Sequence, residues 1–378
     1  MNKEIIPNRQ GIYIIVMFFI GSFVIVGTNI AAKQDVWISI LLTLIVSIPM
    51  LYIYSKLLTT YPGKNLFDVF IEVFGNILGR IISLLFAWYA LHLGSLIIRN
   101  YSEYINIASF PETPQIVTVF FVGLLCIWMV KAGIEVLGRW SSFTAPIIFF
   151  ILIATITVSL TNADYSNLKP IMYDGMGPVL STSFSFLFFP FLEVVIFTII
   201  FNNLQDNKKT FKVFLVGILI GSLFLMLVLL RNILVLGPNI INDILFPAML
   251  AVEVIDIGFL FERIEIVVTI VFIFGALVRI SACLLATSIG VSKILGIDNY
   301  RYLVAPLGFT MMCLSTIVYS NAMEMFKWAE TYYSYYAIPF QIVIPIITLI
   351  AAKIKIKLQS KKQKTNIKTS DTPQSELE

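Results

Sequence analysis

Long apolar runs recur along this chain, each at the length a helix needs to cross lipid. They fall at roughly 10–32, 36–58, 78–100, 115–131, 139–160, 180–202, 211–236, 257–290, 302–320 and 335–354. A helix covers the hydrocarbon of a bilayer with about 20 predominantly apolar residues. In that solvent each backbone N–H and C=O must be satisfied within the protein. Composition agrees: 58% of the 378 residues are hydrophobic and only 13% are charged, where a soluble domain carries about 25% charged residues. Mean hydropathy is +0.91. The expectation is an all-α integral membrane protein with ten transmembrane helices. It forms a single polytopic domain over 1–354, followed by a basic, disordered tail over 355–378. The start, MNKEIIPNRQ, is too polar for a cleaved signal peptide.

Lys and Arg set the orientation. With the N-terminus inside, the inner set includes Lys56, Lys64, Arg80, Lys131, Arg139, Lys208, Lys209, Lys293, Arg301 and the lysines of the tail. The outer set is smaller: Lys33, Arg99, Lys169, Arg231, Arg263 and Lys327. By the positive-inside rule both termini are cytoplasmic. The basic tail reads as an expression of that rule, not as a nucleic-acid arm. Ten spans divide into five and five. Because five is odd, the second set starts on the opposite side from the first, the condition for an inverted repeat. Repeat one covers about 8–160 and repeat two about 178–354.

The sixth span carries two costly residues within one turn. In FSFLFFPFLEVVIFTII, residues 184–200, Pro190 removes a backbone donor and Glu193 puts a carboxylate at membrane depth. The first span has its own weak point at Gly21-Ser22, followed by Gly27-Thr28-Asn29. Taken singly, these are a kink and a packing glycine. Their matching places at the head of each repeat favour a paired break of spans 1 and 6 near midplane, where transporters of inverted-repeat design bind their ligands. The expected partner of Glu193 is Arg279 in span 8, as a functional or a purely structural ion pair. Arg99 and Glu103 share a face at the outer end of span 3. Glu262, Arg263 and Glu265 form a charged start to span 8, either an interfacial helix end or a contact for a partner. His92, the single histidine, serves either packing or pH sensing. Cys126, Cys283 and Cys313 lie inside apolar runs without metal-ligand spacing, so neither a metal nor another cofactor is expected. No P-loop, HExxH or Gly-x-Ser-x-Gly motif is present, and an enzyme is not expected.

Six segments taken together carry a family resemblance. QGIYIIVMFFIGSFV, KQDVWISILL, RNYSEYI, LKPIMYDGMGPVL, FPFLE and FERIE, in this order and spacing, resemble the B subunits of spore germinant receptors. That family lies within the amino acid–polyamine–organocation transporter superfamily. The resemblance implies a LeuT-like fold and location in the spore inner membrane. It also implies work with an A subunit and a lipoprotein C subunit to trigger germination when a small germinant, such as an amino acid, binds. Carried onto this chain, the implied pocket comprises Gly21 and its neighbour Ser22, Tyr89, Leu93, Phe189, Pro190, Phe191, and Val278 or Arg279. The arginine at 279 departs from members with a small hydroxyl residue there, which leaves the germinant's identity open. A proton- or sodium-coupled amino acid permease of the same fold is the competing reading. An ion-conducting subunit without ligand recognition is a third.

Overall fold

A computed structural model describes residues 4–23, 30–254 and 265–370 of the chain. The first helix, α1 (Asn8–Ile20), is buried on every side from Ile14 to Ile20, the environment that an all-round apolar helix requires. Next in the chain come α2 (Val36–Thr60), α3 (Leu66–Phe74), α4 (Asn76–Ala108), α5 (Gln115–Ala132) and α6 (Ile134–Ser159). The second half holds α7 (Met176–Phe186), α8 (Phe197–Ile200), α9 (Thr210–Leu236), α10 (Pro247–Glu253) and α11 (Glu265–Leu295). It ends with α12 (Arg301–Ile317), α13 (Ala322–Thr331), α14 (Tyr333–Ile338) and α15 (Ile344–Ser370). The last helix continues into the basic tail as far as Ser370.

Among the described residues, eight helical stretches are long and apolar enough to cross a membrane. They coincide with expected spans two to eight and ten. The expected ninth, 302–320, is α12, 17 residues long, and α13 turns away from it by 100°. The expected first is α1, whose 13 residues are followed by a turn at 21–23. Among the described residues the ten expected spans are met by eight full spans, the 17-residue α12 with α13 bent from it, and the 13-residue α1. The second glycine of the expected span-1 break, Gly27, lies outside the described residues with Thr28 and Asn29.

Both anticipated breaks have a local cause. Helix α1 tightens after Met17: Ser22 N–H bonds Phe19 O and Phe23 N–H bonds Ile20 O, each at 3.0 Å. In span 6, α7 passes into a wide turn over Leu187–Phe191, where Phe189 leaves helical geometry at φ −136°, ψ 108°. Pro190 has no N–H to return to the preceding turn. A tighter 3-10 stretch, Leu192–Ile196, then leads into α8.

Small and hydroxyl residues let these helices approach closely. Gly217 and Gly221 of α9 are four apart, and a Cβ on them would lie 2.7 Å from Ile15 and 2.8 Å from Phe19 of α1. That is the small-xxx-small mode by which membrane helices approach closely. Span 2 is sewn to span 6 by Ser39 Oγ to Val179 O at 3.1 Å, Thr43 Oγ1 to Ser183 O at 3.1 Å and Ser183 Oγ to Ser39 O at 3.2 Å. Large apolar side chains such as Phe143, Phe150, Trp128 and Phe121 point outward, which suits a lipid-facing surface. Two of the quoted motif segments meet: Gln34 donates to Pro170 O at 2.9 Å, and Met172 N–H bonds the Asp35 carboxylate at 3.0 Å. Residues 4–8 strap the opposite end. Glu4 pairs with Arg301 at 2.5 Å, Ile6 pairs with the chain at 203–205, and Asn8 with Asp206.

Candidate functional site

The span-6 break delivers Glu193 to the middle of the protein. The Glu193 side chain is fully buried, as is that of Arg279 from α11 at 2% exposure. Arg279 donates to Glu193 Oε2 through Nη2, and Tyr333 OH donates to Glu193 Oε1. A carboxylate buried this deeply persists only when paired and hydrogen-bonded. The guanidinium also lies 5.0 Å from the ring centroids of both Phe18 and Phe189, one from each broken span. Aromatic faces of that kind attract a desolvated cation. Arg279 therefore ties α11 to both breaks at once.

A polar chain extends from this pair. Tyr333 OH stands 3.5 Å from Tyr89 OH. Gln341 donates 2.8 Å to Tyr89 OH and 3.1 Å to Phe188 O. Tyr54 of α2 donates 2.5 Å to Gln341 O. Gln341 sits in a second irregular turn, Pro339–Val343, between α14 and α15. The carbonyl exposed by the span-6 break is thus met by a side chain of span 10. At the span-1 break, Tyr101 OH donates 2.7 Å to Gly21 O.

Two cavities adjoin this network. The inner one measures about 30 Å³ and is bounded by Leu93, Asn100, Phe189, Glu193, Arg279 and Tyr333, among others. The larger one measures about 430 Å³ and lies against His92, Glu324, Lys327 and Tyr332. Leu96, Tyr319 and Trp328 border both.

Of the residues singled out from sequence, Leu93, Phe189 and Arg279 line the inner cavity together with Glu193. Tyr89 stands one turn from Leu93 in the hydrogen-bonded wall, stacked on Phe340 at 4.7 Å. Pro190, Phe191 and Val278 are buried near it without lining it. Gly21 and Ser22 lie away from the cavity lining. A Cβ on Gly21 would fall 2.8 Å from the backbone of Gly275, so this glycine lets α1 touch α11. Ser22 Oγ bonds Phe19 O at 2.5 Å. Arg99 and Glu103 pair at 2.7 Å with both side chains largely buried. Glu262 and Arg263 lie outside the described residues, as does the side chain of Glu265 at the start of α11. His92 is packed among Trp88, Trp328 and Tyr336. Cys126 and Cys283 are buried and Cys313 is exposed.

Tyr333, Gln341, Tyr319, Trp328 and Asn100 were not anticipated. One signal was available in SYYAIPFQIVIP, where Gln341 interrupts an apolar run. A polar side chain at that depth is costly unless it finds a hydrogen-bond partner.

Residues 5–323 match the family described as spore germination protein. Spore germination protein KB of Bacillus subtilis (strain 168) is 28% identical over 96% of this chain and 98% of its own length. The solved structure of Mhp1, a nucleobase-cation-symport-1 family transporter in a closed conformation with bromovinylhydantoin bound, superposes with a TM-score of 0.66. It is 11% identical and covers 86% of this chain and 75% of Mhp1. MhsT in complex with L-phenylalanine gives 0.67 at 12% identity, over 93% of this chain and 89% of MhsT. At such identity the likeness carries the fold: a LeuT-like, multi-pass membrane protein whose structural neighbours are transporters, not enzymes.

Proposed function

The chain belongs to the spore germination protein family, and from that premise we propose that it is the membrane subunit of a spore germinant receptor. Its small germinant, with an amino acid as the first candidate, binds in the inner cavity beside Glu193 and Arg279. It works in the spore inner membrane with both termini cytoplasmic, alongside an A subunit and a lipoprotein C subunit that read out its conformation.

One observation carries the reading: the Glu193–Arg279 pair closes the floor of a cavity and joins α11 to both broken spans. A zwitterionic ligand can exchange with such a pair, its carboxylate taking Arg279 and its ammonium taking Glu193. Both charges stay compensated while the tie between the spans loosens. A ligand that binds the loosened state better shifts the population towards it. At about 30 Å³ the inner cavity has room for no more than a few waters, so occupation by an organic molecule requires opening. Binding and conformational change are therefore coupled by size.

The transporter fold of the neighbours supports a second reading, an amino acid permease coupled to protons or sodium. Fold does not decide function. The deciding experiment reconstitutes the chain alone in vesicles with labelled amino acids, and in parallel screens spores of a deletion strain against amino acids, nucleosides, sugars and potassium salts. Loss of response to one germinant without vesicle uptake is the expected result. Concentrative uptake by the chain alone would establish the permease instead.

A further inference from the structure

The bend between α12 and α13 builds a second compartment. Helix α13 carries Glu324, Lys327 and Trp328 on one face, since residues three and four apart are neighbours on a helix. The 100° bend brings that face over His92 and Leu96 of α4, forming a half-open cleft of about 430 Å³. Small-molecule sites typically occupy about 300–1,000 Å³. Of the two compartments, only this one has the volume of an organic ligand in the present conformation.

Its chemistry is mixed in a way that suits one class of molecule. Glu324 and Lys327 place opposite charges at the rim, both exposed. The carboxylate is fixed, because Ser320 N–H bonds Oε2 at 2.7 Å, while Asn321 caps the helix through Glu324 N–H at 2.9 Å. Behind the charges stand the rings of Tyr319, Tyr332, Trp328 and His92. Leu96 and Val318 complete the apolar part of the wall.

We infer that this compartment is a separate binding site for a small zwitterion bearing an apolar or aromatic group. The ligand's carboxylate lies on Lys327, its ammonium on Glu324 and its side chain among Tyr332, Tyr319 and Trp328. Because Leu96, Tyr319 and Trp328 also wall the inner cavity, the same residues form the partition through which a captured molecule passes inward. The inference rests on the reading of the chain as a small-molecule receptor, and its test separates the two sites.

The experiment uses the full chain in lipid nanodiscs. Tritiated L-phenylalanine is the probe, competed by phenethylamine, which keeps only the ammonium, and by 3-phenylpropionate, which keeps only the carboxylate. Lys327→Gln is expected to weaken L-phenylalanine and 3-phenylpropionate about tenfold, the worth of one charge-assisted hydrogen bond, and to leave phenethylamine unchanged. Glu324→Gln is expected to do the reverse. Tyr332→Ala should weaken all three, and neither it nor Lys327→Gln touches the α13 cap. No saturable binding to the unaltered chain overturns the inference. So does binding that Leu93→Ala alters while Lys327→Gln and Tyr332→Ala do not, which leaves the inner site standing. The opposite pattern, with Lys327→Gln and Tyr332→Ala changed and Leu93→Ala silent, supports the outer compartment and removes the inner site.

Discussion

Glu193 and Arg279 were legible as candidates because a charge inside an apolar run is costly, and their mutual proximity satisfies both. Removing one partner of a buried pair costs about 3–5 kcal/mol, whereas replacing both with apolar or neutral groups is often tolerated. Glu193→Gln and Arg279→Met are each expected to lower the amount of subunit in membrane fractions, and the double variant to recover it. Immunoblotting decides: a double variant no more abundant than either single one would mean the charges do not depend on each other. Gly21 makes a different case. Its position at the break was visible, but Gly275, the residue it touches, is remote in sequence and carries no pattern linking the two. Gly21→Leu sets a side chain into the Gly275 backbone, so the expected outcome is reduced subunit level. A normal level with altered ligand response would instead put Gly21 at a ligand. Tyr333 and Gln341 escaped notice for separate reasons. A tyrosine near a span end reads as an interfacial anchor, and a neutral amide does not register as a charge does.

At the scale of elements, proline and glutamate in one turn revealed the span-6 break, because each violates what an uninterrupted membrane helix tolerates. The element that completes it was hidden. The irregular turn Pro339–Val343 presents Gln341 to Phe188 O and Tyr89 OH, and nothing local couples it to span 6. Gln341→Leu removes both donations and leaves buried acceptors unmet, at about 1–3 kcal/mol for each such group. A thermal unfolding scan of the solubilised chain should therefore show a lower midpoint, and an unchanged midpoint would mean the amide is not holding the break. The ninth span coincides with α12, and the stretch between it and the tenth folds as α13, because Asn321 supplies a helix cap and Met325 and Phe326 are buried. Gly217 and Gly221 have the spacing of a helix-packing pair, and the structure seats Ile15 and Phe19 there.

Across the whole molecule, hydropathy exposed the membrane class and most of the spans, since burial in lipid is written into composition. Orientation rests on the asymmetry of Lys and Arg. Reporters fused in the 202–209 loop and after Leu377 should both be cytoplasmic, and one in 161–173 should lie outside. A cytoplasmic reporter at 161–173 would undo the five-plus-five arrangement. The central claim is that the cavity beside Glu193 and Arg279 selects the germinant. The most direct measurement is the rank order of germination across an amino acid series of graded size, in spores carrying Leu93→Ala, with subunit level followed by immunoblot. Leu93 is 2% exposed and lines the inner cavity. The account predicts a normal subunit level with the order shifted towards bulkier amino acids, by about 1–3 kcal/mol for a change of this kind in an apolar pocket. An unchanged rank order would contradict it.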